Sequence, residues 1–101
     1  MELLQVDPSG GFRVLTGTSR SQAATMVLGP GESTGGPNNR HASSDQWLFV
    51  VSGRGRAILE GAEYDLEAGS LLLIEAGEAH EISSVGDQPL ETLSVYAPPE
   101  Y

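Results

Sequence analysis

The sequence predicts an all-β chain, a sandwich or barrel of short strands, and three observations carry that prediction. Thirteen Gly and six Pro punctuate 101 residues. Apolar runs of about four to seven residues fill the gaps between them, the spacing of strands joined by tight turns. No stretch holds a helical period long enough to make a helix of more than one turn. Ala23–Met26 is the nearest case, and Gly29-Pro30 follows too soon after it for a stable helix.

The turn signals are Pro8-Ser9-Gly10-Gly11, Gly29-Pro30-Gly31, Gly35-Gly36-Pro37, Ser52-Gly53-Arg54-Gly55, Glu60-Gly61, Ala68-Gly69, Ala76-Gly77 and Gly86-Asp87. Between them the expected strands are Phe12–Leu15, Ala23–Leu28, Gln46–Val51, Arg56–Leu59, Glu63–Leu66, Leu71–Ile74, His80–Ser84 and Glu91–Tyr96. Gln46-Trp47-Leu48-Phe49-Val50-Val51 is apolar on both faces after its first residue, which predicts a central strand covered on both sides. Within it Gln46, Leu48 and Val50 share one face and Trp47 and Phe49 the other. Pro98-Pro99-Glu100-Tyr101 cannot belong to a central strand. No linker divides the chain, so one domain is expected over residues 1–101, with a barrel core from about 20 to 97.

Composition excludes several kinds of chemistry. There is no Cys, hence no disulfide, thiolate zinc site or thiol nucleophile. All five basic residues are Arg, and without Lys there is no Schiff-base chemistry. The net charge of −9 argues against nucleic acid and anionic membrane as partners. That charge is uneven: residues 1–56 carry five Arg against four acids, whereas residues 57–101 carry ten acids and no base. The acidic half reads as a solvated surface. Residues 1–4 have no basic leader and no apolar run approaches the roughly 20 residues of a membrane span. A cytoplasmic chain is the expectation.

The candidates for chemistry are the two histidines, since imidazole is a common metal ligand and acid–base group. His41 lies in Asn39-Arg40-His41-Ala42-Ser43-Ser44-Asp45-Gln46 and His80 in Gly77-Glu78-Ala79-His80. Taken singly, each reads as a polar loop residue. Arg40 reads as solvent-exposed. Gly53-Arg54-Gly55 lacks the following helix that a phosphate loop needs. No Ser-His-Asp order fits a nucleophile elbow. Glu75, Glu78 and Glu81 surround His80, and one of them is a candidate to orient its imidazole. Tyr64 and Tyr96 are candidates to pack inside the barrel with hydroxyls at its rim.

Taken together, the surroundings of the histidines form a pattern. Asn39-x-His41-x4-Gln46-x6-Gly53 resembles the first signature of the cupin superfamily, and Gly69-x5-Glu75-x-Gly77-x2-His80-x3-Ser84 resembles the second. The 15 residues from Arg54 to Ala68 match the short spacer of small bacterial members. The sequence departs from the pattern at Asn39 (His in the signature), Gln46 (Glu), Glu75 (Pro) and Ser84 (Asn). A second register makes His41 and Ser43 the paired positions and puts Trp47 or Leu48 at the carboxylate. Gly35 favours it, while the Gln46-to-Gly53 spacing favours the first register, which we retain.

The resemblance implies a double-stranded β-helix, a jelly-roll barrel of two packed sheets, with a metal-binding small-molecule site at its mouth. The implied metal residues are Asn39, His41, Gln46 and His80. Their two nitrogens and two amide oxygens suit a borderline divalent transition metal, Zn, Ni, Mn, Fe or Cu, over Ca or Mg. Because none of the four is charged, an anionic small-molecule ligand is favoured. The resemblance further implies oxygenase, isomerase or decarboxylase chemistry if the protein is an enzyme. The rival readings are a non-catalytic module that binds or senses a small ligand, and a dimerisation domain with a vestigial pocket. Trp47, Phe49 and Val51 need cover, which predicts a homodimer, with residues 1–15 available to cross to the partner.

Overall fold

The computed structural model of the chain describes residues 1–7, 10–36 and 40–101. Its eight strands are β1 (Gly11–Gly17), β2 (Gln22–Leu28), β3 (Asp45–Ser52), β4 (Gly55–Leu59), β5 (Ala62–Leu66), β6 (Leu71–Ile74), β7 (His80–Ser84) and β8 (Leu90–Ala97). Each corresponds to an expected strand. β6 and β7 have the predicted bounds, and the others extend by a residue or two at their ends. No helix of the described residues is long and apolar enough to cross a membrane.

The strands form two antiparallel sheets, ordered β1-β2-β8-β3-β6 and β5-β4-β7. This is the jelly-roll arrangement, in which each sheet turns an apolar face to the other. Strand alternation decides which side chains meet. In β3 Gln46, Leu48 and Val50 are buried, whereas Trp47, Phe49 and Val51 are exposed. Among the described residues the core covers one side of this strand, and the outer side, expected to be covered by another layer or subunit, is exposed. The core is formed by Leu28, Leu48, Val50, Ala57, Leu66, Ile82 and Leu90, with Met26 and Leu72 packed against it.

Two turns show why glycine stands where it does. Leu59 pairs with Ala62 across the two-residue loop Glu60-Gly61, whose φ values are 46° and 84°. Both central residues are thus left-handed, as tight hairpin loops require. At Gly53 φ is 88°, and an added Cβ would lie 2.2 Å from the Pro89 carbonyl oxygen. The glycine therefore lets the β3–β4 turn lie directly on the backbone that leads into β8.

Tyr96 is buried as expected, but Tyr64 is half-exposed. Its parity is that of buried Leu66, yet β5 is an edge strand and leaves the ring open to solvent. Residues 11–17 pair with β2 of the same chain, so β1 belongs to its own barrel. Pro98–Tyr101 lies outside every strand, follows a cis Ala97–Pro98 peptide, and folds back toward β2.

Candidate functional site

The polar end of the barrel is built by three elements. β3 supplies Gln46 as its first buried residue, and β8 supplies Tyr96 directly opposite in the ladder, with Ser94 two residues further along. β7 supplies His80 as its first residue. The loop before β3 supplies His41, whose carbonyl oxygen accepts a hydrogen bond from Gly77 N–H at 2.7 Å. That bond ties the His41 loop to the turn that precedes His80, so residues 39 positions apart enter one cavity.

Both imidazoles are buried, at 8% and 3% exposure, and their ring centroids are 4.9 Å apart. The cavity measures about 190 Å³, and Gln46, Tyr96, Tyr101, Thr34 and Phe12 line it beside the histidines. His80 Nδ1–H donates to the Glu78 carbonyl at 3.1 Å, which leaves Nε2 as the lone-pair nitrogen. His41 Nε2 lies 3.1 Å from Gln46 Oε1, and Gln46 Nε2 donates to Ser94 Oγ at 3.0 Å. The amide oxygen of Gln46 is thereby aimed at His41, not at solvent.

The electrostatics follow from burial. Desolvation pushes the His80 pKa below its usual value. The charge of His41 adds to that shift, while the Glu78 carbonyl bond and the Glu78 carboxylate oppose it. Desolvation likewise raises the Tyr96 pKa, helped by the neighbouring Tyr101 and Glu100, and raises that of Tyr101. Tyr96 is a neutral hydroxyl at any physiological pH. Glu100 brings a carboxylate toward His41: its Oε1 is 3.4 Å from His41 Nδ1.

The structure thus brings together three of the four expected metal residues, His41, Gln46 and His80. Asn39 lies outside the described residues. The retained register of the first signature matches this geometry. In the alternative register Trp47 is exposed on the outer face and Leu48 is wholly buried in the core, so neither reaches the cavity. No glutamate side chain orients His80. The Glu78 backbone carbonyl holds the ring, and the Glu78 carboxylate instead caps its own turn by accepting from Glu75 N–H at 2.7 Å. Arg40 is exposed.

Among the described residues no group of three His, Cys, Asp or Glu is placed to hold a metal ion. The set that converges is two imidazoles and one amide oxygen. Neutral N and O donors of this kind fit a borderline divalent transition metal, though they supply no charge to offset it.

Comparison with known proteins decides the family. The cupin-domain family model matches residues 24–96, which includes every strand from β3 to β7, most of β2 and all but the last residue of β8. The chain belongs to the cupin family. Its backbone superposes on the crystal structure of BH2720 from Bacillus halodurans with a TM-score of 0.86 and 28% identity, covering 91% of this chain and 73% of that one. It is 31% identical over 97 residues to the uncharacterized protein YrkC of Bacillus subtilis, covering 89% of this chain and 51% of that protein. It is also 31% identical over 72 residues to the oxalate-binding protein of Thermotoga maritima, covering 71% of this chain and 58% of that protein. The chain spans about half the length of the curated relatives it matches.

Sequence reasoning missed Ser94, Thr34, Phe12, Tyr101 and Glu100 as members of this cupin's site. Alternation along β8 was a usable signal for Ser94, which shares the inward face of Tyr96. Glu100 and Tyr101 carried no local signal, because their placement depends on contacts with Gln22, 78 and 79 residues away in sequence.

Proposed function

We propose that this cupin binds a small organic anion, with a divalent transition metal held by His41, His80 and Gln46. The observation that carries the reading is the pair of buried imidazoles, 4.9 Å apart, with the Gln46 oxygen 3.1 Å from His41 Nε2 in one small cavity. The His80 tautomer supports it, since the nitrogen left free is the one a metal would take. Cavity size narrows the ligand. At about 190 Å³ the space is below the roughly 300–1,000 Å³ of pockets for drug-sized molecules, which favours a ligand of only a few heavy atoms. Charge narrows it further. Neutral ligands leave the ion its positive charge, which an anion would offset. A small dicarboxylate fits both conditions, and the relative named as oxalate-binding adds support.

When bound, the metal would act as a Lewis acid toward a ligand oxygen. The chain's own residues would orient the anion: Tyr96 and Tyr101 present neutral hydroxyls, Gln46 is braced by Ser94, and Phe12 closes one wall. Binding without turnover and decarboxylase- or oxygenase-type turnover remain the two uses of such a site. Consumption of oxalate by the metal-loaded protein, under air and under nitrogen, separates them.

The primary test is calorimetric titration of chelator-treated protein with Zn, Mn, Ni, Fe(II) and Cu salts, repeated on His80→Ala. One ion bound per chain by the native protein, and loss of that binding in the variant, is the expected result. Equal metal uptake by both proteins would overturn the ligand assignment.

We also propose that the protein is a homodimer through the outer face of its larger sheet. Register sets Trp47 beside Leu73 on one side and Val95 on the other, with Phe49 beside Leu71, and all five side chains are exposed. A contiguous apolar sheet face of this kind normally marks an interface. Light scattering should give twice 10.6 kDa for the native chain and 10.6 kDa for Trp47→Glu. A native mass of 10.6 kDa at micromolar concentration would refute the dimer.

A further inference from the structure

The barrel is open along one edge. The larger sheet has five strands and the smaller three, and β1 lies at an edge of the larger one. Phe12 pairs with Met26, which packs against the core, so the Phe12 ring shares the inward face. Phe12 and Val14 are nonetheless exposed, which shows that the smaller sheet leaves this edge uncovered. Tyr101 stands between the edge and the histidine cavity. Its ring packs on Phe12 and Tyr96, with centroids 4.7 and 5.3 Å away, and meets His41 edge-on at 6.2 Å. Tyr101 lines the cavity and is itself 61% exposed, so it forms part of the boundary between the cavity and water. An outer hollow of about 530 Å³ shares Phe12, Met26 and Thr34 with the cavity. The space that a longer ligand needs therefore lies on the far side of Phe12.

The segment that carries Tyr101 is stiff and is held by side chains. Pro98 and Pro99 have fixed φ and no N–H, and Pro98–Tyr101 belongs to no strand. Two buried polar residues hold it. Ser44 Oγ donates to the Pro98 carbonyl at 2.6 Å. Gln22 grips Tyr101 at both backbone groups, donating to its carbonyl at 2.9 Å and accepting from its N–H at 3.0 Å. Both ends of one amide are thus spent on placing this residue. Because none of these bonds belongs to a sheet ladder, the segment is released without breaking one.

We propose that the Tyr101 ring limits by size what reaches the two imidazoles, and that Gln22 is the positioning residue that keeps this ring in place. For the small anion proposed above, Tyr101 then determines specificity: it admits the shortest dicarboxylate and excludes longer ones. That consequence rests on the anion reading, whereas the control of access does not.

The test therefore has two readouts. The first is the rate at which diethyl pyrocarbonate acylates His80 in chelator-treated protein, followed by peptide mapping. His80 is the reporter because its Nδ1–H is bound to the Glu78 carbonyl, which leaves Nε2 to react. Tyr101→Ala should raise the rate about tenfold, and Gln22→Leu should raise it by a smaller factor. Tyr101→Phe keeps the ring and should react at the native rate. So should Tyr64→Ala, which removes an exposed ring that does not line the cavity. A folded Tyr101→Ala that reacts at the native rate overturns the proposal. So does a Tyr64→Ala that reacts as fast as Tyr101→Ala, since loss of stability alone would then admit the reagent. A native rate in Gln22→Leu overturns the role of Gln22. The second readout is the affinity of Zn-loaded protein for oxalate and for succinate. The native chain is expected to prefer oxalate, and that preference should fall about tenfold in Tyr101→Ala. An unchanged preference overturns the role of Tyr101 in specificity. A native chain that binds neither anion, with reagent rates as expected, would refute the anion reading and uphold the control of access.

Discussion

The two ends of this barrel are made from the same strands and differ in almost every other respect. Along the inner face of β3 the side chains run Gln46, Leu48, Val50, and along β8 they run Tyr96, Ser94, Thr92, Leu90. One end is apolar and closed: Leu48, Val50, Ile82 and Leu90 have at most 1% exposure. The other end is polar and hollow, and its side chains are tied one to the next, His41 to Gln46 to Ser94. The apolar end stabilises the fold by removing hydrocarbon from water. The polar end gives up that gain and keeps imidazoles, amide and hydroxyls in place by hydrogen bonds, as a binding site requires. Substitutions at the two ends should therefore separate: one set should change stability, the other affinity.

The largest effect is expected at the closed end. Leu90→Ala removes a side chain that packs in the core and against Gly55, and should cost about 2–5 kcal/mol, read as a lower urea midpoint. Metal uptake by the fraction still folded should be unchanged. A Leu90→Ala protein of native stability would mean that the closed end is not the main source of stability. Next in size is Gly53→Ala. Its φ of 88° and the 2.2 Å approach to the Pro89 carbonyl force the turn away from β8, at a cost of about 1–3 kcal/mol. The site lies at the opposite end from this turn and should keep its metal affinity.

At the polar end, Gln46→Glu sharpens the contrast. It puts a carboxylate where the amide oxygen now faces His41 Nε2, and adds the charge that the site's neutral donors lack. Affinity for a divalent metal should rise about tenfold, equivalent to about 1.4 kcal/mol, while the urea midpoint changes little or falls. Weaker metal binding in this variant would show that residue 46 does not face the ion.

Much of this division was legible in the sequence, and the reasons are local. Turn residues and period-two alternation locate all eight strands, and they put Gln46, Leu48 and Val50 inside and Trp47 and Phe49 outside. The resemblance of the segments around His41, Gln46 and His80 to the two cupin signatures implied that these residues converge. What was not legible depends on neighbours distant in sequence. Alternation gives Tyr64 the correct parity but cannot tell that β5 is an edge. Glu75, Glu78 and Glu81 were all candidates to orient His80, and only the turn geometry shows the Glu78 carbonyl holding the ring. Nothing in Pro98-Pro99-Glu100-Tyr101 announces that Gln22, from the second strand, holds this segment over the site.

The smallest expected effect is the pH dependence of the polar end, which separates it from the closed end without altering any core side chain. Burial, with the His41 charge added, depresses the His80 pKa in the folded chain below its unfolded value of 6.5. Between the two values the unfolded chain binds a proton that the folded chain does not. The contribution of His80 to stability is therefore complete above the unfolded pKa, and it is lost as pH falls through the folded one. Chelator-treated native protein should lose urea resistance between pH 8 and pH 5 more steeply than His80→Gln. The two proteins differ only at residue 80, so the difference between the two curves reports on that side chain. Leu90→Ala should show the native slope at a lower overall stability. Parallel curves for the native protein and His80→Gln would mean that the buried imidazole takes up its proton as easily in the barrel as in the unfolded chain, and that the polar end is open to water at His80.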